Sequence, residues 1–118
     1  MLNNSLVYDK AFAFAIRIVN AYKFLQENHK EFVMSKPLLK SGTSIGANIA
    51  EANGAISDAD FSNKMNIAYK ESLETKYWLS LIKATDYLTE KTFESMFADA
   101  DELSKMLFSI LKKTRIDN

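Results

Sequence analysis

The chain has 118 residues, 47% hydrophobic and 25% charged, which fits one domain built on a single core and excludes disorder as the default. Fifteen basic residues balance fifteen acidic ones, and a formal net charge of zero argues against a generic nucleic-acid coat. No cysteine is present, which removes disulfides, thiolate metal sites and cysteine nucleophiles.

Three Gly and one Pro are too few for an all-β domain, which needs a turn signal at about every 8–12 residues. Good helix formers with few breakers predict long helices instead. Residues Met1 to Lys10 lack the basic-then-apolar layout of a secretion signal. No apolar run approaches the roughly 18 residues of a membrane span. A cytoplasmic protein with no membrane partner is the expectation. The charge is unevenly spread. Residues 1–50 hold six basic residues (Lys10, Arg17, Lys23, Lys30, Lys36 and Lys40) against three acidic ones (Asp9, Glu27 and Glu31).

The first helix is expected over residues 5–28, with Ser5 as its N-cap. Ala11, Phe14, Ala15, Ile18, Tyr22 and Leu25 recur at three and four and form one apolar stripe. Phe12, Ile16 and Val19 form a second stripe beside it. The combined face is wider than one neighbour needs, so part of its burial is expected between molecules.

The second helix, residues 36–53, opens on Ser35 and Pro37, because proline is tolerated where no intrahelical partner awaits its amide. Leu38, Gly42, Ile45, Ile49 and Ala52 make its core stripe. Gly42, Gly46, Ala47 and Ala50 form a strip of small residues. Two glycines within one helix cost roughly 0.5–1 kcal/mol each relative to alanine, and close approach of a neighbouring helix is the expected reason. Ser41, Ser44, Asn48 and Glu51 read as a shared polar face.

Gly54 is placed as a left-handed C-terminal cap. Ser57 then opens a third helix over residues 58–87, with Asp58 and Asp60 at its dipole-favoured end. Phe61, Met65, Ala68, Leu79 and Ile82 mark one apolar line, and Tyr69, Leu73, Tyr77, Leu81, Ala84 and Leu88 a second. Lys70 and Glu74 are spaced to pair at i, i+4. Thr89 caps a fourth helix over residues 90–113, whose near-heptad seam is Phe93, Met96/Phe97, Ala100, Leu103, Leu107 and Ile110/Leu111. Residues 114–118 are expected to fray. Short connections make consecutive helices antiparallel neighbours, giving an all-α, up-and-down four-helix bundle as a single domain over residues 1–118.

Catalytic chemistry finds no footing in this pattern. A di-iron bundle needs Glu-x-x-His pairs, and the one histidine, His29, is assigned to a loop. Glu71 and Glu74 lack imidazole partners. Ser44 lacks a base, and Gly42 to Gly46 lacks the lysine of a phosphate loop. No catalytic residue, cofactor or metal ligand is assigned. Tyr69 and Tyr77 read as core aromatics. Trp78 falls off both apolar lines and reads as a protein contact.

The segment Leu39-Lys40-Ser41-Gly42-Thr43-Ser44-Ile45-Gly46-Ala47-Asn48-Ile49-Ala50-Glu51-Ala52 resembles the signature R-S-x-x-S-I-x-A-N-I-A-E-G of the bacterial four helix bundle proteins encoded in intervening sequences of 23S ribosomal RNA genes. Ser44, Ile45, Ala47, Asn48, Ile49, Ala50 and Glu51 match it position by position. Leu6 to Ala11 is similar to the family's opening, and Glu74-Thr75 resembles its third-helix element. The resemblance covers roughly Ser5 to Lys113. It implies an up-and-down bundle assembled as a ring-shaped homopentamer. A related branch, the accessory proteins of diversity-generating retroelements, implies basic pentamers that bind nucleic acid and a reverse transcriptase. Two departures stand out. The Gly expected after Glu51 is Ala52, and the following segment, often basic, is Ala55 to Asp60 with two aspartates.

These readings combine into one expectation: a non-catalytic homo-oligomer whose partner is itself. Ser44, Ile45, Asn48, Ile49, Glu51 and Glu74 carry its motif. Asn48 and Glu51 are expected to share a hydrogen-bond network with Glu74 and with Tyr69 or Tyr77. The alternative is RNA or DNA binding through Arg17, Lys23, Lys36 and Lys40.

Overall fold

A computed structural model describes residues 5–117, with side chains described from Leu6 to Thr114. It is an up-and-down four-helix bundle of α1 (Ser5–His29), α2 (Ser35–Asn53), α3 (Asp58–Ala84) and α4 (Glu90–Asp117), about 46 Å long and 20 Å across. α1 touches α2 and α4, and α3 touches the same two, so α1 and α3 stand at opposite corners of a square. Among the described residues no strand occurs, and no helix is long and apolar enough to cross a membrane.

The apolar stripes define the core almost as spaced. Leu38, Ile45, Ile49 and Ala52 of α2, the five-residue line of α3, and Met96, Ala100, Leu103, Leu107 and Leu111 of α4 are all buried. On α1 the buried line is Val7, Ala11, Phe14, Ile18 and Leu25, with Ala15 and Tyr22 half-buried. The second stripe of α3 is only partly covered, with Tyr69 and Leu88 half-buried against the core. Leu73 and Tyr77 are exposed, and the spaces between its buried apolar residues are filled by hydroxyls. Thr75 donates to Ser41 of α2 at 3.1 Å, and Ser72 pairs with Ser104 of α4 at 2.7 Å. Ser41 therefore turns inward and leaves the polar face to which its spacing assigned it. Each hydroxyl also has a carbonyl of its own helix within bonding distance, so every buried hydroxyl proton has an acceptor in reach.

The helix ends differ from the simplest reading in ways that backbone geometry explains. Ser57 accepts from the amide of Asp60, and Thr89 from that of Thr92, as capping residues do. α1 begins at Ser5, whose side chain lies outside the described residues. Gly54 is not left-handed: its φ is −101°. The left-handed positions fall on Lys30 (φ 53°) and Asp86 (φ 71°). α3 stops at Ala84 rather than Tyr87, closed by a pair of bonds from Tyr87 N–H to the Ile82 carbonyl and from Asp86 N–H to the Lys83 carbonyl. α4 runs on to Asp117, past the expected end at Lys113.

α2 has no capping hydroxyl of its own. Glu31, buried in the turn before it, places its carboxylate on the amides of Ser35 (2.7 Å) and Val33 (3.1 Å), while Ser35 donates back to the Glu31 carbonyl. Burial alone would push the pKa of this carboxyl up. The amides of Met34, Ser35 and Val33 outweigh it and hold the group below its ordinary 4.5. A charged group set against four orphan amides is what a helix start calls for.

Two predictions follow from these contacts. A β-carbon on Gly42 would stand 2.6–2.9 Å from three carbons of Ile18, including both branches of its Cβ, whereas one on Gly46 would meet Ala11 at an ordinary 3.7 Å. Gly42→Ala should therefore destabilise by about 1–3 kcal/mol despite its better helix propensity, and Gly46→Ala should be neutral or stabilise by up to about 1 kcal/mol, read by urea unfolding. Glu31→Gln should cost about 1–2 kcal/mol at neutral pH. Because the folded-state value is depressed, this stabilisation is present above the unfolded value and fades as pH falls through the folded one. The difference between the two proteins should close in acid.

Candidate functional site

Three surfaces hold the residues singled out by the sequence. The first is the outer side of the α2–α3 seam, where the signature lies. Ile45 and Ile49 are core residues. Ser44 donates to the Lys40 carbonyl (2.6 Å) and Asn48 to the Ser44 carbonyl (2.8 Å), both within α2. Glu51 reaches across to Lys64 of α3 at 2.9 Å, and its hydrogen bond holds the Lys64 ammonium above its ordinary range. Glu74 accepts from the indole N–H of Trp78 at 3.1 Å and does not pair with Lys70. The expected shared network is thus absent among the described residues. Asn48, Glu51 and Glu74 each take a separate partner, and neither Tyr69 nor Tyr77 joins them.

Trp78 is half-buried against the core with Tyr77 edge-on to it at 5.1 Å, so its apolar body is covered largely from within its own helix bundle. The pKa of Glu71, one turn before Thr75, is pushed up by burial and by the Glu74 charge, with Lys40 opposing. This strip is a set of local pairs rather than a convergent site. Among the described residues no three His, Asp or Glu side chains gather where a metal ion would sit.

The basic residues do not form one patch. Arg17 faces α4 and is held by Asp99 at 2.6 Å. Lys40 lies on the other side, near Glu71 of α3. Lys23 and Lys36 are exposed on either side of the α1–α2 turn. Separate faces and an ion pair leave them without the common stripe that tracks a phosphate backbone.

The other two surfaces are apolar and lie on opposite sides of the square. Gly42 and Gly46 set α2 against Ile18 and Ala11 of α1, so the residues flanking that seam point outward. There Phe12 is 56% and Ile16 52% exposed, with Tyr8 tilted against Phe12 and Val19 alongside. On α2 the matching flank is Thr43, Ala47 and Ala50, small side chains that leave the α1 ridge standing proud. The opposite face, over the α3–α4 seam, carries Leu73 and Phe108, the latter 50% exposed and 6.0 Å from the Tyr69 ring. These residues border a shallow groove of about 430 Å³, edged by the ion cluster of Lys76, Asp101 and Lys105. Sequence spacing marked Phe12 and Ile16 as surplus apolar surface. Phe108 went unmarked because it falls beside the α4 seam without belonging to it.

A protein-family model described as "23S rRNA-intervening sequence protein" matches residues 3–109. No curated protein matches the chain. Among solved structures, the chain is similar to a protein of unknown function from the S23 ribosomal protein family of Bacteroides thetaiotaomicron. The two are 56% identical with a TM-score of 0.92, over 94% of this chain and 99% of that one.

The local pairing of the signature's polar residues sets an expectation for their removal. Asn48→Ala and Glu51→Gln should each cost less than about 1 kcal/mol in thermal or urea unfolding, since one breaks an intrahelical bond and the other an exposed ion pair. A loss of several kcal/mol from either would show that the bundle itself depends on them.

Proposed function

Because this chain belongs to the 23S rRNA-intervening sequence protein family, and a solved relative is itself of unknown function, we propose a role read from its surface: a non-catalytic protein that works as a homo-oligomeric ring, a homopentamer by its family resemblance. The observation that supports this reading is the exposure of Phe12 and Ile16 on a helix whose opposite side is already core. A contiguous apolar ridge in water is costly at about 25 cal/mol per Å² and marks a surface that is covered in the working state.

The arrangement of the two apolar faces favours a ring over a two-fold dimer. An isologous dimer needs one self-complementary patch, whereas head-to-tail contact needs two different ones. Here a ridge (Phe12, Ile16) lies on one side and a groove (Leu73, Phe108, Tyr69) on the opposite side. Ridge of one copy into groove of the next repeats until the rotation closes. The ring would then serve as a scaffold whose outer polar surfaces meet other cellular components.

Light scattering on the native protein should give about five times the 13.4 kDa chain mass at micromolar concentration. Phe12→Glu and Leu73→Glu should each give monomers of unchanged helicity by circular dichroism. Mixed in equal amounts, the two variants should form a heterodimer and stop there, because each retains the one face that the other has lost. A native monomer, or variants that keep the native mass, would overturn the reading.

A further inference from the structure

Between α1 and the start of α4 the bundle leaves a cavity of about 520 Å³, closed at one end by the α3–α4 turn. This falls within the roughly 300–1,000 Å³ typical of sites for small organic molecules. It lies on the α1–α4 side, away from both apolar faces described above. Its origin is in the packing: no turn draws α1 and α4 together, and Ala21 and Thr92, which line the gap from either helix, are small. Met96 is its buried floor. At the turn end the His29 ring stands edge-on to both Phe24 (5.1 Å) and Tyr87 (5.7 Å), making an aromatic wall. His29 is thus the last residue of α1, not part of a loop.

The polar lining can be sorted by what remains unpaired. Arg17 gives one N–H of its Nη1 to Asp99 and has four more to offer. The Asn20 amide has no partner among the described residues. Thr92 accepts from the Thr89 hydroxyl and keeps its own proton to donate. All three line the same cavity, and the capacity they hold in common is donor capacity. The one unpaired carboxylate on the wall, that of Asp86, belongs to the turn at the far end. Arg17 and the end of α1 at His29 are 12 residues apart, roughly 18 Å along a helix.

We infer that this cavity binds a small amphipathic monocarboxylate, its carboxylate taken by Arg17 and Asn20, one turn apart on α1, and its flat apolar body laid along Phe24 and Met96 toward Thr92 and Tyr87. Asp86 repels a second anionic group at the far end, which fixes both the orientation and the single charge. The inference stands apart from the assembly reading, since no residue of the cavity belongs to either apolar face.

Calorimetric titration of the native protein with naphthoate and with its neutral counterpart naphthalenemethanol tests it. Both should bind, naphthoate more tightly. Arg17→Gln should weaken naphthoate by at least about 10-fold, as loss of a charge-assisted hydrogen bond does, and change the alcohol by less than about 2-fold. Thr92→Phe, at an exposed position, should fill the gap and weaken both by about 10-fold or more, and Ala21→Leu should do the same from the opposite wall. Phe12→Glu should leave both unchanged. Absence of heat from either compound up to millimolar concentration would overturn the inference. So would an equal loss of both in Arg17→Gln, or a loss in Phe12→Glu, which would place the binding on the assembly ridge.

Discussion

The Ile18 side chain occupies the space where any residue but glycine at position 42 would carry its β-carbon, and the rest of the bundle is arranged around that approach. It brings α1 and α2 close enough for Ala11 to pack on Gly46. That closeness rolls α1 so that Val7, Phe14 and Leu25 point to the centre. The same roll carries Phe12 and Ile16 out onto the surface. One contact therefore determines both what the core contains and which apolar groups are left for something else to cover.

Helix number, order and most of the core were legible because apolar residues recur at three and four with few interruptions, and a 3.6-residue period maps that spacing onto one face. What spacing could not reveal was the use of small hydroxyls as core material. Ser41, Ser72 and Thr75 look like surface residues by polarity, yet each sits where two helices come too close for a larger side chain. Each also finds a carbonyl one turn back together with a hydroxyl across the seam. Polarity predicts exposure only when the group has no internal partner, and here every one has two.

The turns were harder to read for a related reason. Gly54 was the natural candidate for a left-handed residue, but the two left-handed positions belong to Lys30 and Asp86. Backbone bonds around each turn fix the geometry, and the side chain merely tolerates it. Glu31 illustrates the converse. A glutamate before a serine and a proline carries no standard capping pattern, and only the fold back of the turn brings its carboxylate onto the α2 amides. Ser44, Asn48 and Glu51 lie on α2 and Glu74 on α3, and their separate pairings depend on the rotation of the two helices, which no single helix's spacing contains.

Of the four seams, three are tied by a turn, and the fourth, between the first helix and the last, is not. There the packing is thinnest, and Lys10–Glu102 and Arg17–Asp99, both about half exposed, span the gap. Exposed ion pairs of this kind hold helices in register more than they hold them together. Without the fourth helix, the other three form a trough whose inner wall is open to water. Loop-closure entropy and weak reward coincide on that last joint, so it is also the place from which a finished molecule would first breathe open.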